Sequence, residues 1–276
     1  MNGEREPFLE SKLNQSLTRV GASKEMREEI IQHTVEKLHD GITTQEIYEY
    51  AFDLLREKER QPVAARYSVK RAVLDLGPSG FPFEKFVGSV LEAIGYTNVK
   101  TGVAVQGKCA PHEVDVMAEH AGRRVAAEVK FHNSLGIKTD LKVALYVKAR
   151  FDDLTKTGET IDEGWLITNT RFTRNAARYG NCTGMHLLGW DYPRGKGLEV
   201  LIDEAGVHPI TALTTLSATE KRDLLEEDVV LCRHMPTESA ELSRYGIPVE
   251  KHGSIRTEVQ GLCHIPKEQA VQEMTD

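Results

Sequence analysis

His112-Glu113-Val114-Asp115-Val116, followed by Glu128-Val129-Lys130, is the stretch on which the reading of this chain turns. Both segments are short apolar runs carrying isolated charges, the pattern of strands with a packed face. Side chains alternate along a strand, so Glu128 and Lys130 share one face while Val116, Val125 and Val129 are left to pack. Two carboxylates and an ammonium then stand at the ends of neighbouring strands. Magnesium takes hard oxygen ligands, commonly one or two carboxylates completed by substrate phosphate, and Asp115 with Glu128 supplies that set. Lys130 beside them can orient an attacking water and offset charge growing on a phosphate. Glu-x-Lys is also a common surface pattern, so its surroundings decide its weight.

Upstream, Gly77-Pro78-Ser79-Gly80 punctuates the chain, and Phe81-Pro82-Phe83-Glu84 opens a helix with proline in its first turn. Phe83, Phe86, Val87, Val90, Leu91 and Ile94 recur at helical spacing until Gly95. Strand-like runs follow at Val99 to Val105, Glu113 to Met117 and Arg124 to Phe131. Next come a helix from Asp140 to Ala149, a strand Trp165 to Thr168, a short helix Arg174 to Tyr179 and a strand Met185 to Trp190. The order is αβββαβ with an appended αβ pair.

That order, with Glu84 on the first helix, Gly95-Tyr96 at its end, Asp115, Glu128-x-Lys130 and Thr168-Asn169, resembles the PD-(D/E)xK nucleases, most closely their Mrr-type, restriction-endonuclease-like branch. The resemblance implies an endodeoxyribonuclease using Mg2+ or Mn2+. Asp115 and Glu128, with Val129, would hold the metal, Lys130 would activate water, and Glu84 would face the site. Two departures stand out. Residue 114 is Val, so the literal Pro-Asp is absent, and Glu113 lies two residues before Asp115, where it could share its role. Glu84 also suits a first helical turn for the dipole alone. His112 and His132 flank the motif and are read as ordinary hydrogen-bonding residues.

The net charge of −7 is the wrong sign for binding a polyanion until it is divided along the chain. Residues 123–196 hold 13 basic and 8 acidic side chains, the one region that is net positive. Phosphate binding follows local cation density, and Lys138, Lys142, Arg171 and Arg174 are the DNA-contact candidates there.

Residues 1–76 read as a small helical domain: Leu9, Leu13 and Leu17 on one face, a helix capped at Ser23 carrying Met26, Ile30 and Leu38, and a capping box Thr43-x-x-Glu46. Pro62 then starts a last helix through Leu76. Gly3 to Phe8, Lys12-Leu13, Asp40 to Tyr48 and Ala64 to Tyr67 together resemble the ATP-cone, a nucleotide-sensing domain. By that resemblance ATP or dATP is a ligand contacted by Glu6, Pro7, Phe8, Lys12 and Thr44, with Lys70 or Arg71 as the basic residue of the last helix. Lys12 can pair with phosphate, and Thr44 sits beside the exposed N–H groups of a helix start. Hydrolysis is not expected, because no G-x-x-x-x-G-K-[ST] loop exists. ATP-cones usually begin with a strand ending in a basic pair. Only Met1 and Asn2 precede Gly3, so either the start lies upstream or this copy holds phosphate with fewer groups.

The expected architecture is an α+β multidomain chain: a small helical ATP-cone at 1–76, a linker at 77–80, an α/β nuclease core at 81–208, and a mostly helical appendage and tail at 209–276. Within the last, Leu198 to Ile202 just upstream reads as a strand, Leu213 to Leu225 contains a helix capped at Ser217, and the residues from Pro266 read as a tail. Cys109, Cys182, Cys232 and Cys263 lie far apart with no C-x-x-C pair, so neither a disulfide framework nor a zinc site is expected. No run of 18 apolar residues and no signal-like start occurs, which points away from a membrane and to the cytoplasm. The expected function is a metal-dependent, nucleotide-regulated deoxyribonuclease, with DNA and nucleotide as partners and homo-oligomerisation. The alternative is a non-catalytic nucleotide sensor that binds DNA through the same fold.

Overall fold

The structure, a computed structural model, describes residues 6–58, 61–134, 136–155 and 161–263; the expected tail lies outside them. The chain forms two compact units, one built from residues 73–209 and the other from residues 1–72 together with 210–264.

The first of these holds the motif. Helix α5 (Phe81–Ala93) precedes strands β1 (Thr97–Gln106), β2 (Pro111–His120) and β3 (Arg123–Lys130). After them come β4 (Lys138–Thr139), α6 (Leu141–Leu154), β5 (Glu163–Thr168), β6 (Arg171–Phe172), α7 (Arg174–Cys182), β7 (His186–Leu188) and α8 (Leu198–Glu204). Five strands make one sheet in the order β1-β2-β3-β5-β7, antiparallel through β3 and parallel from β3 to β7. The two-residue strands β4 and β6 pair in parallel as a separate ribbon that the sequence reading did not anticipate.

Each face of the sheet has a reason to be covered. Ala126, Leu166 and Leu187 pack with Ala144, Val147 and Phe151 of α6 and Ala176 of α7. Gly164 lets Phe151 approach the sheet, since a Cβ there would lie 2.5 Å from the ring. On α5, Phe83 and Phe86 are fully buried, and the Phe83 ring packs at 5.4 Å on Phe131, the residue after Lys130. This fixes the end of β3. The β1–β2 hairpin is pinned to α6 by Asp153, which accepts from the Cys109 and Ala110 amides at 2.9 and 3.2 Å and meets His112 Nε2 at 2.8 Å. The His112 contact first, and the two amides with it, hold the Asp153 carboxyl well below the usual carboxylate range.

The second unit comprises α1 (Glu10–Arg19), α2 (Lys24–Glu36), α3 (Thr44–Lys58) and α4 (Gln61–Leu74), joined by α9 (Ala218–Glu226), α10 (Ser239–Arg244) and α11 (Val249–Cys263). Ser23 caps α2 through the Met26 amide, and Thr43 and Glu46 form the expected capping box. Helix α4 is packed on two sides. Ala64 joins Leu13, Leu17, Ile30 and Leu55, while its neighbour Ala65 joins Ile210, Leu213, Ile255 and Leu262. A helix covered on both sides has small residues where an amphipathic one would turn polar. Further ties between the two sequence segments are Thr211 Oγ1 donating to the Ala72 carbonyl at 2.6 Å and Arg66 donating to the Gly261 carbonyl at 3.2 Å. Glu258, fully buried, accepts from the amide and hydroxyl of both Thr214 and Thr215 at 2.6 to 3.0 Å.

Three expectations need correction. Leu198 to Ile202 is the helix α8, not a strand, with Leu198, Leu201 and Ile202 buried on one side; a five-residue apolar run has no period long enough to separate the two. Leu38 lies beyond the end of α2 rather than on it. Cys232 and Cys263 form a disulfide across 31 residues of sequence, while Cys109 and Cys182 are exposed. Spacing along the chain could not reveal that pair, because the fold alone brings α11 beside residue 232. Among the described residues no helix is long and apolar enough to cross a membrane.

Candidate active site

The pairing of β2 with β3 stops at Val116↔Ala127, one step short of Asp115 and Glu128. Here the strands part, and the amide of Val129 donates to Asp115 Oδ2 at 2.6 Å in place of a ladder bond. Asp115 is thereby fixed against the strand that carries Glu128 and Lys130. Glu128 is almost wholly buried and takes Lys130 Nζ on Oε1 at 2.5 Å and the Arg150 guanidinium of α6 on Oε2. Burial first, then the Glu128 charge, pushes the Asp115 carboxyl above its ordinary range, partly offset by Val129, Lys130 and Arg150. Glu84 on α5 is likewise raised, by burial and then by Asp115 and Glu113, with Lys130 opposing. The four residues read from the motif thus form one interacting charge cluster. Glu113 is exposed at its rim.

A raised carboxylate next to a second carboxylate is a site that gains from a cation. The donors fit magnesium or manganese: two carboxylates, with substrate and water left to complete the shell. Among the described residues no group of three or more His, Cys, Asp or Glu side chains is placed to hold a metal. Val129 can contribute only its backbone carbonyl.

Beyond Lys130 the chain is held by a hydroxyl network. Thr168 pairs in register with Lys130 across β3 and β5, and its Oγ1 donates to the Lys130 carbonyl at 2.8 Å. Thr139 Oγ1 donates to Thr168 Oγ1 at 3.1 Å and lies 3.1 Å from His132 Nε2. Asn169 clamps the backbone of His132 from both sides, accepting its N–H at 2.8 Å and donating to its carbonyl at 2.7 Å. Burial, then the Lys130 charge, holds the His132 imidazole below its ordinary value, so it is neutral at pH 7.

The DNA-contact candidates gather beside this network. Lys138 and Arg171 are register partners in the β4–β6 ribbon, Lys142 is exposed in the first turn of α6, and Arg174 is exposed at the start of α7. Arg171 also pairs with Asp191 at 2.8 Å. They lie past the carboxyl ends of β3 and β5, where open parallel sheets place ligands. The residues missed as site members are Arg150, Thr139 and Thr168. Arg150 had a signal: Lys142, Tyr146 and Arg150 recur every four residues of α6 and so share one helix face.

In the helical unit, Lys12 pairs with Glu6 at 2.9 Å, Phe8 packs against the Leu13–Leu55 cluster, and Pro7 is exposed between them. Thr44 is exposed at the first position of α3, where its neighbour Thr43 is engaged by Glu46. Arg71 of α4 stands 3.9 Å from Glu49 of α3.

Comparison with known proteins matches three successive segments of the chain. Residues 1–75 match the ATP cone domain, residues 78–191 the restriction endonuclease domain of Mrr type, and residues 208–263 the AF1548-like C-terminal domain. An uncharacterised protein of Archaeoglobus fulgidus is 38% identical over 172 residues, covering 62% of this chain and 96% of the relative. The crystal structure of AF1548, a protein of unknown function, matches at a TM-score of 0.54 and 36% identity, covering 66% of this chain and 97% of that one. A structure of Can2 from Sulfobacillus thermosulfidooxidans with cyclic tetra-adenylate reaches a TM-score of only 0.32 at 11% identity, covering 64% of this chain and 50% of that one. The chain belongs to the AF1548-like family, with an ATP-cone ahead of an Mrr-type restriction-endonuclease domain.

Proposed function

We propose that the protein is an endodeoxyribonuclease dependent on Mg2+ or Mn2+, with cleavage regulated by ATP or dATP bound, not hydrolysed, at the cone. The observation that carries the reading is Asp115 held against β3 by the Val129 amide, beside a buried Glu128 and with Lys130 in contact. Asp115, Glu128 and the Val129 carbonyl would hold the metal, which supplies Lewis-acid polarisation of a phosphate oxygen. Lys130 then orients the attacking water and keeps a positive charge beside the phosphate as negative charge develops. Glu84, whose carboxyl is disposed to hold a proton by burial and its acidic neighbours, can accept one from that water or share in binding the cation. Lys138, Lys142, Arg171 and Arg174 would draw the DNA backbone to the ends of β3 and β5. On the cone, Glu6 to Phe8, Lys12 and Thr44 would meet the nucleotide, which requires Lys12 to leave Glu6 for a phosphate.

The test is incubation with supercoiled and linear DNA, with Mg2+ or Mn2+, with and without ATP or dATP. Cutting that needs metal, is lost in Asp115→Ala and Glu128→Ala, and responds to nucleotide is the expected result. DNA binding that falls with salt and is unaccompanied by cutting under every condition would replace the enzyme with a DNA-binding nucleotide sensor. Calorimetry of ATP on the wild type and on Lys12→Ala tests the cone separately.

A further inference from the structure

Arg150 is not part of the motif, yet its guanidinium occupies Glu128 Oε2, one of the oxygens a divalent cation would need. Glu128 is nearly closed to solvent and carries Lys130 on its other oxygen, so each of its oxygens is already neutralised by a side chain. Arg150 itself is not fully spent. Its side chain is 14% exposed, and its Nε is buried with no hydrogen-bond partner. A buried donor without a partner costs free energy unless something arrives to accept from it. The guanidinium also lies 5.4 Å from the ring centroid of Tyr146, one turn along α6, a residue that is 57% exposed. One turn further is Lys142, also exposed, so a single helix face leads from the solvent-side cation to Glu128.

We propose that Arg150 stands in for the divalent cation on Glu128 in the metal-free protein and, once displaced, becomes a ligand for the DNA phosphate at the same site. Arginine suits both roles, because its planar fork matches a carboxylate and a phosphate alike. With Asp115, Glu128, Lys130 and Arg150 the core of the site is close to balanced in charge. Adding a divalent cation makes the site more positive by two charges and frees the guanidinium, so metal and phosphate would each raise the other's affinity, as linkage requires. The inference rests on the nuclease reading above and adds to it a residue outside the motif and a reason for the two ligands to bind together.

The experiment measures metal alone before any cleavage is considered. Mn2+ is titrated calorimetrically into the full-length wild type, Arg150→Gln and Arg150→Lys, and the melting temperature of each is followed with and without the ion. Removing a competing charge-assisted bond should tighten Mn2+ binding to Arg150→Gln about tenfold or more, and the ion should raise its melting temperature by more than it raises that of the wild type. Arg150→Lys, which keeps the charge, should fall between. In the second arm, duplex DNA is bound in the presence of Ca2+, and Arg150→Gln should bind more weakly than wild type. Mn2+ affinity in Arg150→Gln equal to or below wild type, or unchanged DNA binding, overturns the proposal. A wild type that binds no Mn2+ overturns the nuclease reading itself, and this inference falls with it.

Discussion

Thr168→Val is the most informative single substitution outside the charged cluster, because it removes one hydroxyl and little else. Thr168 is fully buried, and its Oγ1 donates to the Lys130 carbonyl at 2.8 Å, accepts from Thr139 Oγ1 at 3.1 Å and from the Thr170 amide at 3.3 Å. Valine keeps the shape and makes none of these bonds. Thr139 can turn its hydroxyl towards His132 Nε2, already 3.1 Å away, and Thr170 loses its 3.2 Å hydroxyl contact, which leaves chiefly the Thr170 amide and one lone pair of Lys130 in need of partners. A buried polar group without a partner costs about 1–3 kcal/mol, so a loss of roughly 2–4 kcal/mol is expected for the pair. The second effect is positional. The Lys130 carbonyl is the backbone of the residue whose ammonium contacts Glu128, and a shift of about 1 Å at such a group can lower turnover by about a hundredfold. Urea denaturation followed by tryptophan fluorescence would read the first effect, since Trp165 lies on β5 with Thr168, and plasmid cleavage with saturating Mn2+ would read the second. Thr170→Val, which removes only a 3.2 Å contact between hydroxyls, is the control and should cost under about 1 kcal/mol. A Thr168→Val protein as stable and as active as wild type would refute the claim that this network positions Lys130.

The remaining expectations concern charge, pH and the disulfide. Glu128→Gln strips Lys130 and Arg150 of a shared buried partner and should cost about 3 kcal/mol without metal, whereas Asp115→Asn relieves a carboxyl whose ionisation is already disfavoured and should not destabilise the metal-free protein; both should abolish Mn2+-induced stabilisation, read by thermal melting. Because His132 has its folded value depressed, the unfolded chain takes up its proton first as pH falls, so the stabilisation is complete above about pH 6.5 and is lost progressively below it. Melting curves across about pH 5–8 should show a slope that His132→Gln flattens. Reduction, or Cys232→Ser with Cys263→Ser, should cost the helical unit about 3–4 kcal/mol, the loop-closure value for the 31-residue separation, and leave the melting of the 73–209 unit unchanged.

Much of the nuclease unit was legible because its signals are local. Alternation placed β2 and β3, helical spacing placed α5 and α6, and Glu128 and Lys130 fell at the end of β3, whereas Asp115 lies midway along β2, where its pairing with β3 stops. What escaped was non-local. Arg150 meets Glu128 only because Gly164 lets Phe151 settle α6 close on the sheet, a dependence spread over three segments. Thr139 and Thr168 look like ordinary strand residues until the β3–β5 register and the β4–β6 ribbon bring their hydroxyls together. The Cys232–Cys263 bond and the double coverage of α4 were hidden for the same reason. On the cone, capping was readable from four-residue patterns, but the engagement of Lys12 by Glu6 was not.

The pairing of residues 1–72 with 210–264 makes the endonuclease unit an insertion within another fold, not the middle bead of three. Its polypeptide leaves and re-enters its host at Ala72 and Thr211, two positions already joined by a hydrogen bond of 2.6 Å. The two crossing points are therefore neighbours within the host. Excising residues 73–209 and bridging the gap with a few glycines should leave a folded host, because closing so short a gap costs little. Cutting the chain after residue 209 would do the opposite. It would keep every residue of the cone and of the Asp115–Lys130 motif, yet strip α4 of the partners that bury Ala65.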